Sequence, residues 1–202
     1  MPKVLDREAH AAEWNYLYNR GAFPWRSGGI TETTRRLLAT YAQGPRLLEA
    51  GCGLGDDSAQ LAEMGFDYLG VDIAATAVGS AAATHSGRGL RFLAADFFTF
   101  RSPPGFDVLY DKGFFHGLRG VRRRNVFLRR AAALLRPKGL WITVCGSADR
   151  MLDDFMHGAI FLRDLVSPAE VYFELLEIVK VPYGLAQTIH DFEAWHMACR
   201  RR

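Results

Sequence analysis

The chain has 202 residues, of which 49% are hydrophobic and 23% are charged, and its formal net charge is +3. A chain of this length can bury a core as one domain, and its apolar content excludes an intrinsically disordered protein. It contains no uncharged apolar run long enough to cross a bilayer. The three cysteines are widely spaced and form no Cys-x-x-Cys motif, so we expect reduced thiols and assign no metal site.

We predict that residues 1–44 form a helical cap on the main fold. The first residues carry acidic side chains and no apolar stretch, so we expect neither a secretory signal nor a transit peptide, and a cytoplasmic location. Apolar residues recur at helical spacing until Gly21, and a second helix is expected over 31–41. Gly44 and the proline after it end this segment, and residues 45–202 form the predicted core.

Strands and helices alternate through the middle of the chain. Short apolar runs predict strands over 46–50, 68–71, 90–94, 106–110 and 140–145. Helices are expected over 57–64, 74–84 and 122–135, with a Pro-Lys-Gly turn at 137–139. This alternation is typical of a parallel sheet that is covered by helices.

The last quarter of the chain departs from this alternation. Residues 149–166 mix charged and apolar side chains over a length unusual for a connection, and we expect a substrate lid there. The sequence SPAE at 167–170 predicts a capping box, with a helix that runs through Phe173. Strands over 177–181 and 194–199 are joined by a loop and are expected to pair in an antiparallel manner.

A glycine-rich loop, EAGCGLG at 49–55, follows the first predicted strand and precedes a helix. Glycines there let the backbone approach a ligand, and Asp72, at the end of the second strand, can accept hydrogen bonds from two ribose hydroxyls. A dinucleotide site would need glycine at position 56, yet Asp56 and Asp57 stand where a pyrophosphate would bind. The loop therefore favours an adenosine-type cofactor without phosphates.

Four acidic residues fall at the predicted carboxyl ends of strands: Glu49, Asp72, Asp96 and Asp111. Because ligands of open α/β sheets bind at that edge, we expect the four carboxylates to face one crevice and to favour a cation. S-adenosylmethionine meets this description, since it combines an adenosine with a positive sulfonium and an amino group. The alternative is that Asp56, Asp57 and Asp72 are only helix caps and loop residues.

These motifs make the sequence similar to class I S-adenosylmethionine-dependent methyltransferases over about residues 12–200. Residues 49–55 correspond to the first motif of that family, 71–73 to its second, 95–97 to its third and 135–140 to the turn into its fifth strand. The resemblance implies an α/β, Rossmann-like fold. Its seven-stranded, mostly parallel sheet would have the order 3-2-1-4-5-7-6, with strand 7 antiparallel, helices on both faces and an N-terminal helical extension.

Within the family, the chain resembles the thiopurine and tellurite-resistance methyltransferase branch. The shared features are a Trp…Tyr…Gly…Pro-Trp series, here from Trp14 to Trp25, and the residues FDVLYDKG at 106–113. Lys112 stands where the branch usually has arginine, and Phe-Phe-His follows the glycine at 114–116. The branch implies a small soft nucleophile, often sulfur or a heavier relative, as the methyl acceptor, and these departures mean that thiopurine itself is not implied.

The resemblance also implies which residues hold the methionine part of the cofactor. Gly51, Cys52 and Gly53 would contact it through their backbone. Glu49 would order the loop and reach the amino group through its hydrogen bonds, and Asp111 would lie near the same amino group.

For the adenosine part, the resemblance implies that Asp72 binds the ribose hydroxyls. Ile73 and Phe97 would enclose the adenine, and Asp96 would accept a hydrogen bond from its exocyclic amine. Trp25 would cover the cofactor from the N-terminal segment.

Two residues that follow the fourth strand are candidates for the chemistry. Methyl transfer is an in-line displacement, so alignment in a dry pocket supplies much of the catalysis. His116 is the candidate base for an acceptor that must lose a proton, whereas a thiol ionises near neutrality and needs little help. Lys112 is expected at the edge of the substrate, where it would orient an anion. The alternatives are a histidine without a catalytic duty and a solvated lysine.

The function expected from the sequence is methyl transfer from S-adenosylmethionine to a sulfur, selenium, tellurium or nitrogen atom of a small molecule. One alternative is methylation of a nucleic acid or protein bound by the basic stretch at 119–138, although its arginines fall at solvent-facing helical positions. A second is a non-catalytic S-adenosylmethionine-binding module, which would keep the same glycine loop.

Overall fold

The structure is a computed structural model that describes residues 7–21, 26, 28–85, 87, 89–103, 105–150, 159–183 and 193–202. Within these residues the strands are β1 (Arg46–Ala50), β2 (Asp67–Asp72), β3 (Leu90–Ala94), β4 (Phe106–Lys112), β5 (Leu135–Gly146), β6 (Phe173–Pro182) and β7 (Glu193–Arg201). The α-helices are α1 (Arg7–Asn19), α2 (Glu32–Tyr41), α3 (Ser58–Glu63), α4 (Ala75–Thr84), α5 (Phe114–Gly117), α6 (Val121–Leu134) and α7 (Leu162–Ala169). None of the helices described is both long and apolar enough to span a membrane.

The strands form one sheet in the order β3-β2-β1-β4-β5-β7-β6. β1 pairs in parallel with β2 and β4, so Glu49 lies level with Gly70 on one side and Tyr110 on the other. β7 runs antiparallel to both β5 and β6. The predicted sheet order and the antiparallel last strand are therefore confirmed.

Helices cover both faces of the sheet. On one face, Trp141 and Phe173 lie in a core formed with α6 and α7. On the other face, α2 places Leu37 and Leu38 against the sheet. α2 forms because Thr31 caps it, accepting a hydrogen bond of 3.1 Å from the backbone N–H three residues later, and because its apolar side chains fall on one side.

The predicted N-terminal helix packs on the core. α1 lies beside α4, where the backbone N–H of Thr76 donates to Asn15 Oδ1 at 2.9 Å. This bond satisfies one of the free N–H groups at the start of α4 and fixes α1 near the carboxyl edge of the sheet. The division of the chain at residue 44 stays a prediction.

The helix that precedes β6 begins earlier than the sequence predicted. Pro168 lies in the last turn of α7 rather than in the first turn of a later helix. Leu165 and Ala169 are buried in the core, and their burial fixes the helix upstream. β6 then begins at Phe173, so the predicted capping box at 167–170 and the helix through Phe173 are wrong.

The turn predicted at 137–139 lies inside β5 as a bulge. Phe106 pairs with Leu135 and Val108 pairs with Leu140, so four residues of β5 lie opposite one residue of β4. Lys138, in the bulge, has a left-handed φ of 64°. The turn signal in the sequence therefore marks an interruption of pairing within the strand.

The segment 149–166 is described only in part, because residues 151–158 lie outside the described residues. Ile160 forms an isolated bridge with Ser147, and residues 162–166 belong to α7. A substrate lid within 149–166 stays a prediction.

A buried carboxylate joins the starts of three strands. Asp107 of β4 accepts a hydrogen bond of 3.0 Å from the backbone N–H of Arg46 in β1, and it forms an ion pair with Arg136 in the bulge of β5. Arg136 also donates to the carbonyl oxygen of Gln43 at 2.7 Å. Asp107 thus holds the amino edge of the sheet, opposite the edge where open α/β sheets bind ligands.

We expect Asp107→Ala to lower the free energy of unfolding by about 1 to 3 kcal/mol, because it leaves a partly buried N–H and a guanidinium without their acceptor. The control is Asp67→Ala, which removes an ion pair whose Asp67 and Arg91 side chains are 47% and 60% exposed. That loss should stay below about 1 kcal/mol. Urea unfolding of both variants checks the prediction, and equal losses would contradict it.

Candidate cofactor site

The glycine loop after β1 has a backbone that only glycine adopts easily. Gly51 and Gly53 have φ values of +71° and +51°, and the N–H of Gly51 donates to the carbonyl oxygen of Val71 at 2.8 Å. A Cβ atom at Gly51 would lie 2.5 Å from Phe114 Cδ2, and one at Gly53 would lie 2.6 Å from the Tyr18 hydroxyl oxygen. α1 and α5 therefore bring aromatic side chains directly against the loop.

Asp72, the last residue of β2, organises this loop. Its Oδ2 accepts a hydrogen bond from the Gly53 N–H and its Oδ1 accepts one from the Ala74 N–H, both at 2.9 Å. Burial raises the pKa of the carboxyl group, while these two backbone bonds oppose that rise. Asp72 thus fixes the glycine loop relative to the start of α4.

Four residues predicted to bind the adenosine part surround one cavity at the carboxyl ends of β2 and β3. They are Asp72, Ile73, Asp96 and Phe97. Other residues that line the same cavity were not predicted from the sequence. These include His10, Phe98, Phe114, Leu118 and Arg123.

An aromatic cluster forms the apolar wall of the cavity. The ring of Phe97 stacks on Phe127 with centroids 5.1 Å apart and meets Phe114 edge to face at 5.5 Å. Asp96, beside it, accepts a hydrogen bond of 2.9 Å from the backbone N–H of Phe98, which orders the turn. The cavity therefore combines two carboxylates with apolar and aromatic walls.

Comparison with known proteins places the chain in a family. A methyltransferase domain model matches residues 48–141. The chain is 32% identical over 186 residues to "Probable thiol methyltransferase 2" of Arabidopsis thaliana, a match that covers 89% of this chain and 76% of the relative. The chain belongs to the class I S-adenosylmethionine-dependent methyltransferases.

Two further matches agree with this assignment. "Thiocyanate methyltransferase 1" of Brassica oleracea is 28% identical over 147 residues, which are 70% of this chain and 65% of the relative. The crystal structure of Burkholderia thailandensis 1,6-didemethyltoxoflavin-N1-methyltransferase, with its substrate and S-adenosylhomocysteine bound, covers 100% of this chain and 92% of that protein. It has a TM-score of 0.79 at 21% identity and so shares the fold. Among its family, this methyltransferase resembles the thiol methyltransferase branch.

S-adenosylmethionine is the cofactor of this methyltransferase, and the residues that line the cavity suit its adenosine part. Asp72 and Asp96 supply acceptors for hydroxyl and amine hydrogens, and Phe97 supplies an apolar surface for a planar base. Gly51 and Gly53, whose positive φ values favour glycine, carry no side chains of their own, so the backbone of the loop can approach a ligand closely.

Glu49 and Cys52 direct their side chains into the protein rather than into the cavity. The hydroxyl of Tyr68 donates to Glu49 Oε2 at 2.5 Å, and burial, together with the nearby charge of Asp57, raises the pKa of Glu49 well above its ordinary value. Burial also raises the pKa of the Cys52 thiol. A Cβ atom at Gly70 would lie 2.8 Å from the Cys52 Sγ, so this thiol packs under the loop.

Lys112 forms a nearly buried ion pair beneath the same loop. Its ammonium contacts Asp57 and also donates to the carbonyl oxygen of Gly29 at 3.3 Å. The hydroxyl of Tyr110 donates to Asp57 Oδ2 at 2.8 Å. The side chains of Lys112 and Asp57 are 12% and 1% exposed, so neither is an ordinary solvated charge. That Lys112 also orients the substrate stays a prediction.

Asp111 lies in the core on the opposite face of the sheet from Lys112. Its carboxylate accepts hydrogen bonds of 2.9 Å from the Phe115 N–H and from Trp141 Nε1. Burial raises the pKa of Asp111 to about 6. A contact between Asp111 and the cofactor's amino group stays a prediction and would use the backbone.

The expectation that four carboxylates face one crevice is wrong. Asp72 and Asp96 line the cavity, whereas Glu49 and Asp111 are buried on opposite faces of the sheet. The reason is that side chains alternate along a strand, and Glu49 and Asp111 lie within β1 and β4 rather than beyond their ends.

His116 lies at the ends of β4, β5 and β6. Its Nδ1 accepts a hydrogen bond of 2.8 Å from the backbone N–H of Gly146, and its ring centroid is 6.5 Å from that of Tyr183. Burial and the nearby charge of Arg124 lower the pKa of His116 to about 4. Trp25, the remaining predicted site residue, lies outside the described residues.

We expect Lys112→Met to lower the free energy of unfolding by about 3 to 5 kcal/mol, because the buried Asp57 carboxylate loses its cation. Arg91→Met removes the cation of an exposed pair and serves as the control, with a loss below about 1 kcal/mol. Urea unfolding measures both values. A loss for Lys112→Met as small as that of the control would show that the ammonium is solvated.

Asp111 should make stability depend on pH. Because its pKa is higher in the folded protein than the ordinary value of 3.8, its stabilising contribution is complete below about pH 4 and falls as the pH rises through about 6. Relative to Asp111→Asn, the wild-type protein should therefore lose about 3 kcal/mol over that interval. Unfolding curves of both proteins across this range test the prediction, and a constant difference would contradict it.

Proposed function

We propose that this methyltransferase moves the methyl group of S-adenosylmethionine to a sulfur atom of a small-molecule acceptor. The observation that carries the proposal is the match to a probable thiol methyltransferase over 89% of the chain. The match to a thiocyanate methyltransferase, which covers 65% of that relative, supports the same acceptor element. Selenium, tellurium and nitrogen acceptors are the alternatives that the experiment below distinguishes.

The groups described near the ends of β4 and β5 suit an acceptor that needs no base. The pKa of His116 is lowered to about 4, so its affinity for a proton is weak. Burial raises the pKa of Cys145 and of Tyr183, so both hold their protons at neutral pH. A thiol with a pKa near 8.5 ionises without help at neutral to slightly alkaline pH, whereas an alcohol does not.

The chemical step is an in-line displacement at the methyl carbon. The bound cofactor supplies an electrophilic methyl on a sulfonium leaving group. The acceptor sulfur forms the new bond as the bond to the sulfonium sulfur breaks, which gives a methylated sulfur compound and S-adenosylhomocysteine. A thiol acceptor has already released its proton to solvent. The protein's task is alignment and exclusion of water.

For the adenosine part, we propose that Asp72 binds the ribose hydroxyls with the lone pairs that its two backbone bonds leave free. Ile73 and Phe97 would enclose the adenine and Asp96 would accept from its amine, in line with their positions around the cavity. Trp25 is proposed to cover this part on the strength of the sequence alone.

For the methionine part, we propose backbone contacts from Gly51, Cys52 and Gly53. The burial of the Cys52 thiol is consistent with a role for its backbone only. Glu49 would act indirectly, by ordering the loop through its bond to Tyr68.

A nucleic-acid or protein acceptor bound by residues 119–138 is less well supported. Arg124 donates to the carbonyl oxygen of Leu118 at 3.1 Å, and Arg130 contacts the carbonyl oxygens of Phe97 and Phe100. These two arginines are used inside the fold, which reduces the basic surface open to a polyanion. For the proposed small-molecule methyltransferase, we also propose a cytoplasmic location.

Asp72→Ala should weaken S-adenosylmethionine binding by about 1 to 3 kcal/mol, since it removes the acceptor for the ribose and the bond that orders Gly53. Asp67→Ala, at the other end of the same strand, should bind the cofactor as the wild type does. Isothermal titration calorimetry measures both affinities. Equal affinities for the two variants would contradict the ribose assignment.

The acceptor is tested by incubating the wild-type protein and labelled S-adenosylmethionine with thiols, thiocyanate, selenite, tellurite and small amines. We expect label transfer to the sulfur compounds. Transfer to amines alone would overturn the sulfur assignment. Tight cofactor binding without transfer to any acceptor would favour the non-catalytic binding module.

A further inference from the structure

We infer that His116 binds the acceptor in its anionic form, as a hydrogen-bond donor through Nε2–H, and does not remove a proton from it. The inference rests on the proposed function, since it concerns the acceptor of that reaction. It assigns His116 a role different from the base that the sequence suggests.

The hydrogen bond from Gly146 fixes which ring nitrogen carries the proton. A backbone N–H can only donate, so the Nδ1 that receives it at 2.8 Å must present a lone pair. A neutral imidazole has one N–H, which is therefore on Nε2. Nε2 is then a donor, and a proton could be taken up only at Nδ1, where it would face the Gly146 hydrogen.

The backbone that carries the ring is fixed at two neighbouring residues of the short helix α5. The N–H of Phe115 donates to Asp111 Oδ1 at 2.9 Å, and the backbone of His116 hydrogen-bonds to the Cys145 sulfur. Gly146, the last residue of β5, lies opposite Ala194 of β7 in the sheet. The orientation of the imidazole is therefore set by the sheet and not by a mobile loop.

The Nε2 side of the ring lies at the carboxyl end of β4. A Cβ atom at Gly113, which follows β4 with a φ of +85°, would be 3.8 Å from His116 Nε2 and 3.3 Å from the Tyr183 hydroxyl oxygen. The cofactor cavity lies over β2 and β3, so the adjacent ends of β4 and β5 are the part of the ligand-binding edge left for the acceptor. The His116 residue as a whole is only partly buried.

Burial and the positive charge of Arg124 on α6 keep the ring neutral while a thiol ionises. The titratable groups that contact His116 are Cys145 on β5 and Tyr183 after β6. Arg124 opposes a second positive charge on the ring, and Cys145 and Tyr183 keep their protons because burial raises their pKa values. With its own pKa near 4, His116 does not change charge in the range where thiols titrate.

A neutral N–H donor suits a sulfur anion in particular. It offers a directional hydrogen bond to a thiolate or to thiocyanate. It does not form an ion pair, which would stabilise the anion and lower its nucleophilicity. A neutral amine presents its own hydrogens and a single lone pair, which it needs for the reaction, so Nε2–H selects against it. His116 would thus set the acceptor class as well as its orientation.

The first test locates the ring proton without measuring activity. In protein labelled with 15N-histidine and bound to S-adenosylhomocysteine, we expect the His116 signals to show an unprotonated Nδ1 and a protonated Nε2 from about pH 6 to about pH 9, where thiols titrate. Addition of thiocyanate should shift the Nε2–H signal. A proton on Nδ1, or no response to the anion, would overturn the inference.

The second test compares two substitutions. His116→Asn places an amide oxygen near the Nδ1 position and can keep the Gly146 bond, but it loses the donor at Nε2. His116→Gln places an amide N–H near the Nε2 position. We expect His116→Asn to raise KM for a sulfur anion roughly tenfold, with unchanged affinity for S-adenosylmethionine, and His116→Gln to recover part of that loss.

The pH profile separates a donor from a base. If His116 is a hydrogen-bond donor, the pH at which kcat/KM is half-maximal should equal the pKa of each thiol substrate. This should hold in the wild type and in His116→Asn. A midpoint that is the same for every thiol and is absent in His116→Asn, with KM unchanged, would show that His116 is a base and would overturn the inference. If the wild type methylates no sulfur compound, the proposed function fails, while the proton position and the response to thiocyanate still decide the inference by themselves.

Discussion

The geometry of the whole site depends on the end of β4, where successive side chains point to opposite faces of the sheet. Asp111 turns into one core and binds the indole N–H of Trp141, and Lys112 turns into the other and neutralises Asp57. Gly113 then takes a φ of +85°, which begins the short helix α5. A one-residue shift of β4 would exchange these two charges between environments that cannot satisfy them.

The fold, and the grouping of four proposed adenosine-binding residues around one cavity, were predictable because their signals are local. A strand that ends in an acidic residue and a glycine loop before a helix are contiguous in sequence, and Asp72, Ile73, Asp96 and Phe97 do surround one cavity. His10 and Arg123 could not be found in this way, since their helices reach the cavity only through the tertiary fold. The four-residue helix α5 is too short to show a period.

The errors in the sequence analysis have a common origin, which is that a pattern gives residue types but not the direction of each side chain. A Ser-Pro pair is typical of a helix start, yet the burial of Leu165 and Ala169 places it at the end of α7. In the same way, acidic residues near strand ends suggested a rim of four negative charges. The buried partners of Glu49 and Asp111, a tyrosine hydroxyl and an indole N–H, account for two of them.

Two aspartates after the glycine loop are neutralised by ion pairs, which changes the explanation of cofactor selectivity. Asp56 and Asp57 were expected to repel phosphates, but Asp57 is paired with Lys112 and Asp56 with Arg26. In the proposed site, the selectivity for S-adenosylmethionine would then depend on the cavity that Asp72 and Asp96 line, and on the glycine loop that Asp72 orders. Because burial keeps the nearby histidine neutral and the nearby thiol and phenol protonated, the acceptor of the proposed reaction is the group whose ionisation would control the rate near neutral pH.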